Sequence, residues 1–220
     1  MAPSSFQMLD GPRLPPLSGG PAKQLIVILH GYGADGADLI DLGRAWQGQL
    51  PDAAFVAPNA PETLPFEALS GRQWFALSER SPSELRIGAE AAQPILDHFL
   101  DRELEEHALD DRSLALVGFS QGAMMTFQCG LRRKVPPAAL IGYSGLLPGI
   151  GQLSDINTQS PVLIVHGTED DVVPHYHAEA ARQTLTKSGV EVKLHELAGL
   201  GHSIDERGMI LAGRFLDQCF

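Results

Sequence analysis

The residues best suited to chemistry are those of Gly118-Phe-Ser-Gln-Gly122, which fit the pattern G-x-S-x-G. The apolar run 113–119 before them reads as a buried strand, and 121–133 after them reads as a helix. In a tight strand-to-helix bend the serine takes strained backbone angles, and glycines two residues away on either side let strand and helix approach. Such a bend raises the Ser120 hydroxyl above the sheet at a helix N-terminus, where developing negative charge is favoured. A hydroxyl is a poor nucleophile without a base, normally a histidine oriented by a carboxylate, and this kind of bend uses the chain order Ser, Asp, His.

Five histidines follow Ser120: His166, His175, His177, His195 and His202. His166 ends one strand and is expected to pack or bond locally, and His195 sits within another. His175 and His177 lie two residues apart at the mouth of a helix and cannot share a helical face. His202 stands in Ala198-Gly-Leu-Gly-His-Ser203, between the last strand and the last helix, and is the expected base. Glu169, Asp170 and Asp171 follow a strand together, and spacing does not separate the two aspartates as the acid. Two backbone N–H groups are also needed for an oxyanion. Gln121 supplies the one after the nucleophile. The segment His30-Gly-Tyr-Gly33 supplies the other, at Tyr32, with His30 itself structural.

The elements that must position these groups alternate. Strands are expected at 24–30, 54–57, 113–119, 138–143, 161–166 and 191–197. Helices are expected from an Asp38 cap to about Gln47, from a Ser83 cap to Glu106 with a kink at Pro94, and over 121–133, 176–188 and 205–215. Strand–helix alternation implies a mostly parallel sheet wrapped on both faces, an α/β fold, with ligands at the carboxyl ends of the strands. The 220 residues suit one domain. Residues 1–21 read as a loose or edge segment, and the proline-rich stretch 58–82 reads as a lid or substrate loop.

A net charge of −11 argues against nucleic acid and anionic membranes as partners. No apolar run is long enough for a membrane span, and no secretory signal is legible at the N-terminus. Two distant cysteines, Cys129 and Cys219, fit neither a disulfide framework nor a zinc cluster; they suit a reducing, cytoplasmic setting.

Taken together, Leu29-His-Gly-Tyr-Gly33, Ala57-Pro-Asn-Ala-Pro61, Gln73-Trp-Phe75, the Ser120 motif, His166-Gly-Thr-Glu-Asp-Asp-Val-Val-Pro174 and Gly201-His202 resemble the bacterial carboxylesterase/phospholipase family. That family includes acyl-protein thioesterases and lysophospholipase-like enzymes. The resemblance runs from about residue 22 to the end. It implies an α/β-hydrolase fold and cofactor-free, metal-free cleavage of small-molecule esters or thioesters through an acyl-enzyme on Ser120. It selects Asp170 over Asp171 as the acid and implies Tyr32 and Gln121 as the oxyanion hole. It also places an acyl groove beside Leu64, Trp74, Phe75 and Leu77. Some members of the family are homodimers, which makes a homodimer an assembly to test here.

Three other readings compete. A dienelactone-hydrolase-like enzyme would carry cysteine where Ser120 stands. A non-catalytic binding module on the same scaffold would not need nucleophile, base and acid in order. A metal hydrolase built on His175, His177, Asp170 and Asp171 lacks the spacing of a helical zinc site.

Overall fold

The computed structural model describes residues 8–65, 71–150, 156, 157 and 159–220. The strands are β1 (Arg13–Leu14), β2 (Gln24–Leu29), β3 (Ala53–Val56), β4 (Glu62–Thr63), β5 (Arg72–Gln73), β6 (Leu114–Phe119), β7 (Ala139–Tyr143), β8 (Val162–Gly167) and β9 (Val192–Leu197). The helices are α1 (Gly36–Trp46), α2 (Pro82–Glu106), α3 (Gln121–Gly130), α4 (Tyr176–Lys187) and α5 (Glu206–Cys219).

Apolar, branched residues in unbroken runs produce strands buried on both faces. In β2, Leu25, Val27 and Leu29 enter one core while Ile26 and Ile28 enter the other. Each such side chain contributes about 1.5–3 kcal/mol on burial. Among the described residues the main sheet runs β1-β3-β2-β6-β7-β8-β9, parallel throughout except for β1, which pairs antiparallel with β3 at the edge. Helices α2, α3 and α4 cover the first face, through residues such as Leu96, Phe127 and Leu185. Helices α1 and α5 cover the second, through Trp46 and Phe215. This is an α/β-hydrolase fold.

Several boundaries differ from expectation. The cap of α1 is Asp35, whose carboxylate accepts from the Ala37 and Asp38 N–H groups. Asp38 sits three residues on and accepts from the Asp35 N–H, completing a capping box. Ser81 caps α2, because Pro82 fills the first helical turn, where a missing N–H costs nothing. That helix continues through Pro94 as one element. The third helix stops at Gly130, short of residue 133, and α5 runs on to Cys219. Within 58–82, β4 and β5 form a small antiparallel hairpin; residues 66–70 of that stretch, like 1–7 of the N-terminal one, lie outside the described residues.

Candidate active site

The bend between β6 and α3 is as tight as its glycines permit. A Cβ at Gly118 would lie 2.2 Å from the Gly122 carbonyl oxygen, and one at Gly122 would lie 2.0 Å from the Leu29 carbonyl oxygen. Between them Ser120 takes φ 55°, in the left-handed region that side chains avoid. Its N–H donates to the Tyr143 carbonyl (2.9 Å), and its own carbonyl accepts from the Ala123 and Met124 N–H groups. The bend is therefore fixed from both sides, with the hydroxyl left free to point away from the sheet.

That hydroxyl lies 3.0 Å from Nε2 of His202. The loop after β9 delivers this ring, and Nδ1 lies 2.8 Å from Oδ2 of Asp170, in the loop after β8. A carboxylate only accepts, so Nδ1 carries the proton, and Nε2 is then the acceptor for the serine O–H. The Phe119 ring packs against the imidazole with centroids 4.9 Å apart.

Asp170 is buried, and its other oxygen accepts from the N–H groups of Val172 (3.0 Å) and Val173 (2.8 Å). Burial pushes its carboxyl upward, but the Val173 N–H, His202 and the Val172 N–H outweigh this and hold it below the usual aspartate range. A second imidazole stands beside it. Fully buried His166 places Nε2 at 2.7 Å from the Val173 carbonyl and 3.2 Å from Asp170 Oδ2. Both partners are acceptors, so Nε2 carries the hydrogen, while Nδ1 is buried without a partner among the described residues. Burial lowers the pKa of this ring, so it stands beside the carboxylate as a neutral group whose N–H donates to the Val173 carbonyl.

Among the described residues, no hydrogen bond occupies the backbone N–H of Tyr32 or of Gln121. Both residues line a cleft of about 340 Å³ together with Ser120 and His202. Its remaining walls are largely apolar and include Leu77, Leu85, Phe119, Met124, Leu146 and Val173. Of the residues expected at an acyl groove, Leu77 is in this wall.

Leu64, Trp74 and Phe75 are not in the wall; they are core. The Trp74 indole N–H donates to the His30 carbonyl (2.9 Å), and the ring is 1 % exposed. Phe75 is buried against Gly88 of α2, and Leu64 is buried near Gly33. The Gln121 side chain closes this arrangement: Oε1 accepts from the Trp74 N–H and Nε2 donates to the Phe75 carbonyl.

The other histidines stand apart from the serine. His30 is buried between the Gly31 carbonyl and the Ala60 N–H. His195 is half-buried within β9. His175 is exposed at the start of α4, and half-buried His177 reaches the outer wall of the cleft. Asp171 is exposed. No cluster of three or more metal-ligating side chains occurs among the described residues, so His175, His177, Asp170 and Asp171 do not converge there. Sequence reasoning did not find Phe119, Met124, Leu146 and Val173 as cleft residues. The legible signal was positional: Phe119 and Leu146 follow or end sheet strands, and Met124 lies one turn into α3.

The model of the phospholipase/carboxylesterase family matches residues 17–220. Among solved structures, esterase PE8 is 42% identical with a TM-score of 0.93, and the match covers 97% of this chain and 100% of that one. Esterase YpfH of Escherichia coli (strain K12) is 28% identical over 192 residues, covering 87% of this chain and 81% of that protein. Acyl-protein thioesterase 1 homolog 2 of Dictyostelium discoideum is 29% identical over 199 residues, covering 82% and 86% respectively.

Proposed function

Because the chain belongs to the phospholipase/carboxylesterase family and is a serine hydrolase of carboxylic esters or thioesters, we propose that Ser120, His202 and Asp170 are its catalytic triad. The observation that carries this reading is the continuous path Ser120 Oγ–His202 Nε2 at 3.0 Å and His202 Nδ1–Asp170 Oδ2 at 2.8 Å. In the reaction, Ser120 Oγ bonds to the substrate carbonyl carbon as its proton passes to His202 Nε2. The negative Asp170 stabilises the imidazolium so formed. The Tyr32 and Gln121 N–H groups receive the oxyanion, each worth about 3 kcal/mol at the transition state. His202 then protonates the departing alcohol or thiol, and water repeats the sequence to release the acid.

The apolar cleft beside Ser120 suits an acyl chain, with Leu77, Leu85, Met124 and Leu146 as its walls. Neither cysteine is in a disulfide, and no helix among the described residues is long and apolar enough to cross a membrane. The free cysteines suit a reducing compartment such as the cytoplasm, and the family match over residues 17–220 supports a single hydrolase domain acting on small-molecule substrates.

The test is a panel of p-nitrophenyl esters and acyl thioesters of graded acyl length, run with Ser120→Ala and with a fluorophosphonate label. Turnover and labelling should both vanish in the variant while its circular dichroism matches wild type. Labelling that survives the substitution would move the nucleophile elsewhere.

A further inference from the structure

One long cationic side chain overlooks the cleft from a backbone shape that such residues avoid. Arg80 has φ 55°, in the left-handed region. The strain is held in place by Glu84 in the first turn of α2. Its carboxylate accepts from the N–H groups of Ser78 (2.6 Å), Glu79 (3.0 Å) and Arg80 (2.5 Å), and from the Ser78 hydroxyl (2.5 Å). These donors, the Ser78 hydroxyl foremost, hold the Glu84 carboxyl below the usual range. Glu84 thus fixes the turn through backbone groups and does not pair with the guanidinium. Among the described residues no hydrogen bond or ion pair engages the Arg80 guanidinium. Strain kept at a bulky residue by surrounding bonds is a mark of binding clamps.

The position of Arg80 gives that cation a use. It lines the cleft that holds Ser120 and also an adjoining cavity of about 390 Å³. The two share Leu85, Leu146 and His177 as well, so they form one continuous groove, apolar in the middle. Burial lowers the His177 pKa and keeps that ring neutral. At the far end Arg86 is already paired with Glu90 at 2.8 Å. Among the described residues no aspartate or glutamate lines either part, although the chain carries 27 acidic side chains against 16 Lys and Arg. A protein of net charge −11 repels an anion in general, so an unpaired guanidinium on a lining that carries no acid among the described residues is a place where an anion can still be received.

We propose that Arg80 is a specificity-determining residue that selects esters or thioesters carrying an anionic group, a carboxylate or phosphate, several atoms from the scissile carbonyl. Leu85 and Leu146 receive the apolar spacer, and the guanidinium fork meets the anionic oxygens. The pinned turn means that the backbone needs no further ordering on binding. This inference rests on the assignment of Ser120 as nucleophile.

The test compares kcat/KM for matched substrates in wild type, Arg80→Gln and Arg80→Lys. One arm puts the charge on the acyl side, mono-p-nitrophenyl adipate against p-nitrophenyl hexanoate. The other puts it on the alcohol side, 4-carboxyphenyl hexanoate against its methyl ester. In at least one arm, Arg80→Gln should lower the charged-to-neutral ratio about tenfold or more. Arg80→Lys should keep most of that ratio, and raised salt should shrink it in wild type. The responding arm identifies which end of the substrate faces Arg80. Ratios equal in wild type and Arg80→Gln in both arms overturn the proposal. Failure of the underlying assignment looks different: neutral esters would then still turn over in Ser120→Ala.

Discussion

The mouths of β2 and β9 each present a histidine, and the two rings are wired alike but put to different uses. His30 directly follows β2 and is fully buried beneath Trp74. Its Nδ1–H donates to the Gly31 carbonyl at 2.8 Å, and its Nε2 accepts from the Ala60 N–H at 2.9 Å. His202, beyond β9, also donates from Nδ1 and accepts at Nε2, but its partners are the Asp170 carboxylate and the Ser120 hydroxyl. An amide N–H does not give up its proton at neutral pH, whereas an attacking hydroxyl must. The tautomer is the same in both, so in the proposed triad it is the group facing Nε2 that separates a strut from a base.

The sharpest way to break this contrast is to replace both rings. His202→Gln should cost about a million-fold in kcat, as loss of the base does in other triads, with folding intact. His30→Gln should leave the rate within about tenfold. Its damage should appear in urea unfolding, as a loss of about 1–3 kcal/mol from buried groups left poorly bonded. If the two variants exchange outcomes, the distinction between strut and base is wrong. Next in size, Asp170→Asn should lower kcat about 10⁴-fold. The same change at exposed Asp171 should leave steady-state rates near wild type, and the reverse result would reassign the acid.

The smallest effect is on the pH dependence of stability. Burial holds the pKa of His30 and of His166 below the ordinary range. The unfolded chain, with histidines near pKa 6.5, therefore binds more protons than the folded one just below that pH. The stability contributed by keeping these rings neutral is complete above about pH 6.5 and is lost as pH falls toward the depressed folded values. Urea midpoints measured from pH 8 to 5 should decline through that window, and more shallowly in His30→Gln than in wild type. An unchanged slope would remove His30 from the account.

The parts of this molecule that were readable in the sequence are those where one interaction dominates. The spans of β2, β6, β7 and β8 were legible because each is an apolar run buried on both faces. Ser120 and His202 were legible because glycines must flank the bend and because strand ends lead to the same edge of the sheet, whereas only the family resemblance separated Asp170 from Asp171; the structure puts His202 within hydrogen-bonding distance of both Ser120 and Asp170.

Caps were misplaced where two suitable side chains compete. Asp35 and Asp38 both belong to one capping box, and Ser81 and Ser83 flank the same proline. The β4–β5 hairpin was missed because two-residue strands carry no period. The family resemblance implies Trp74 and Phe75 at the acyl groove, and aromatic character alone says nothing of direction. Only the bond of the indole N–H to the His30 carbonyl and the packing of the Phe75 ring against Gly88 show that both face inward. The apolar wall was unreadable for a related reason: Phe119 ends a strand, Met124 lies on a helix, Leu146 and Val173 lie in two loops, and the four meet only in three dimensions.

The bonds of the Gln121 side chain have a consequence for anyone redesigning this protein. Residues 74 and 75 are tethered to the residue that follows Ser120, the proposed nucleophile. Transplanting the preceding segment from a relative to change chain-length preference therefore amounts to re-hanging a door whose hinge is screwed into the firing mechanism. A donor segment would have to bring backbone groups able to engage that same amide, or the graft would disturb the bend it was meant to leave alone.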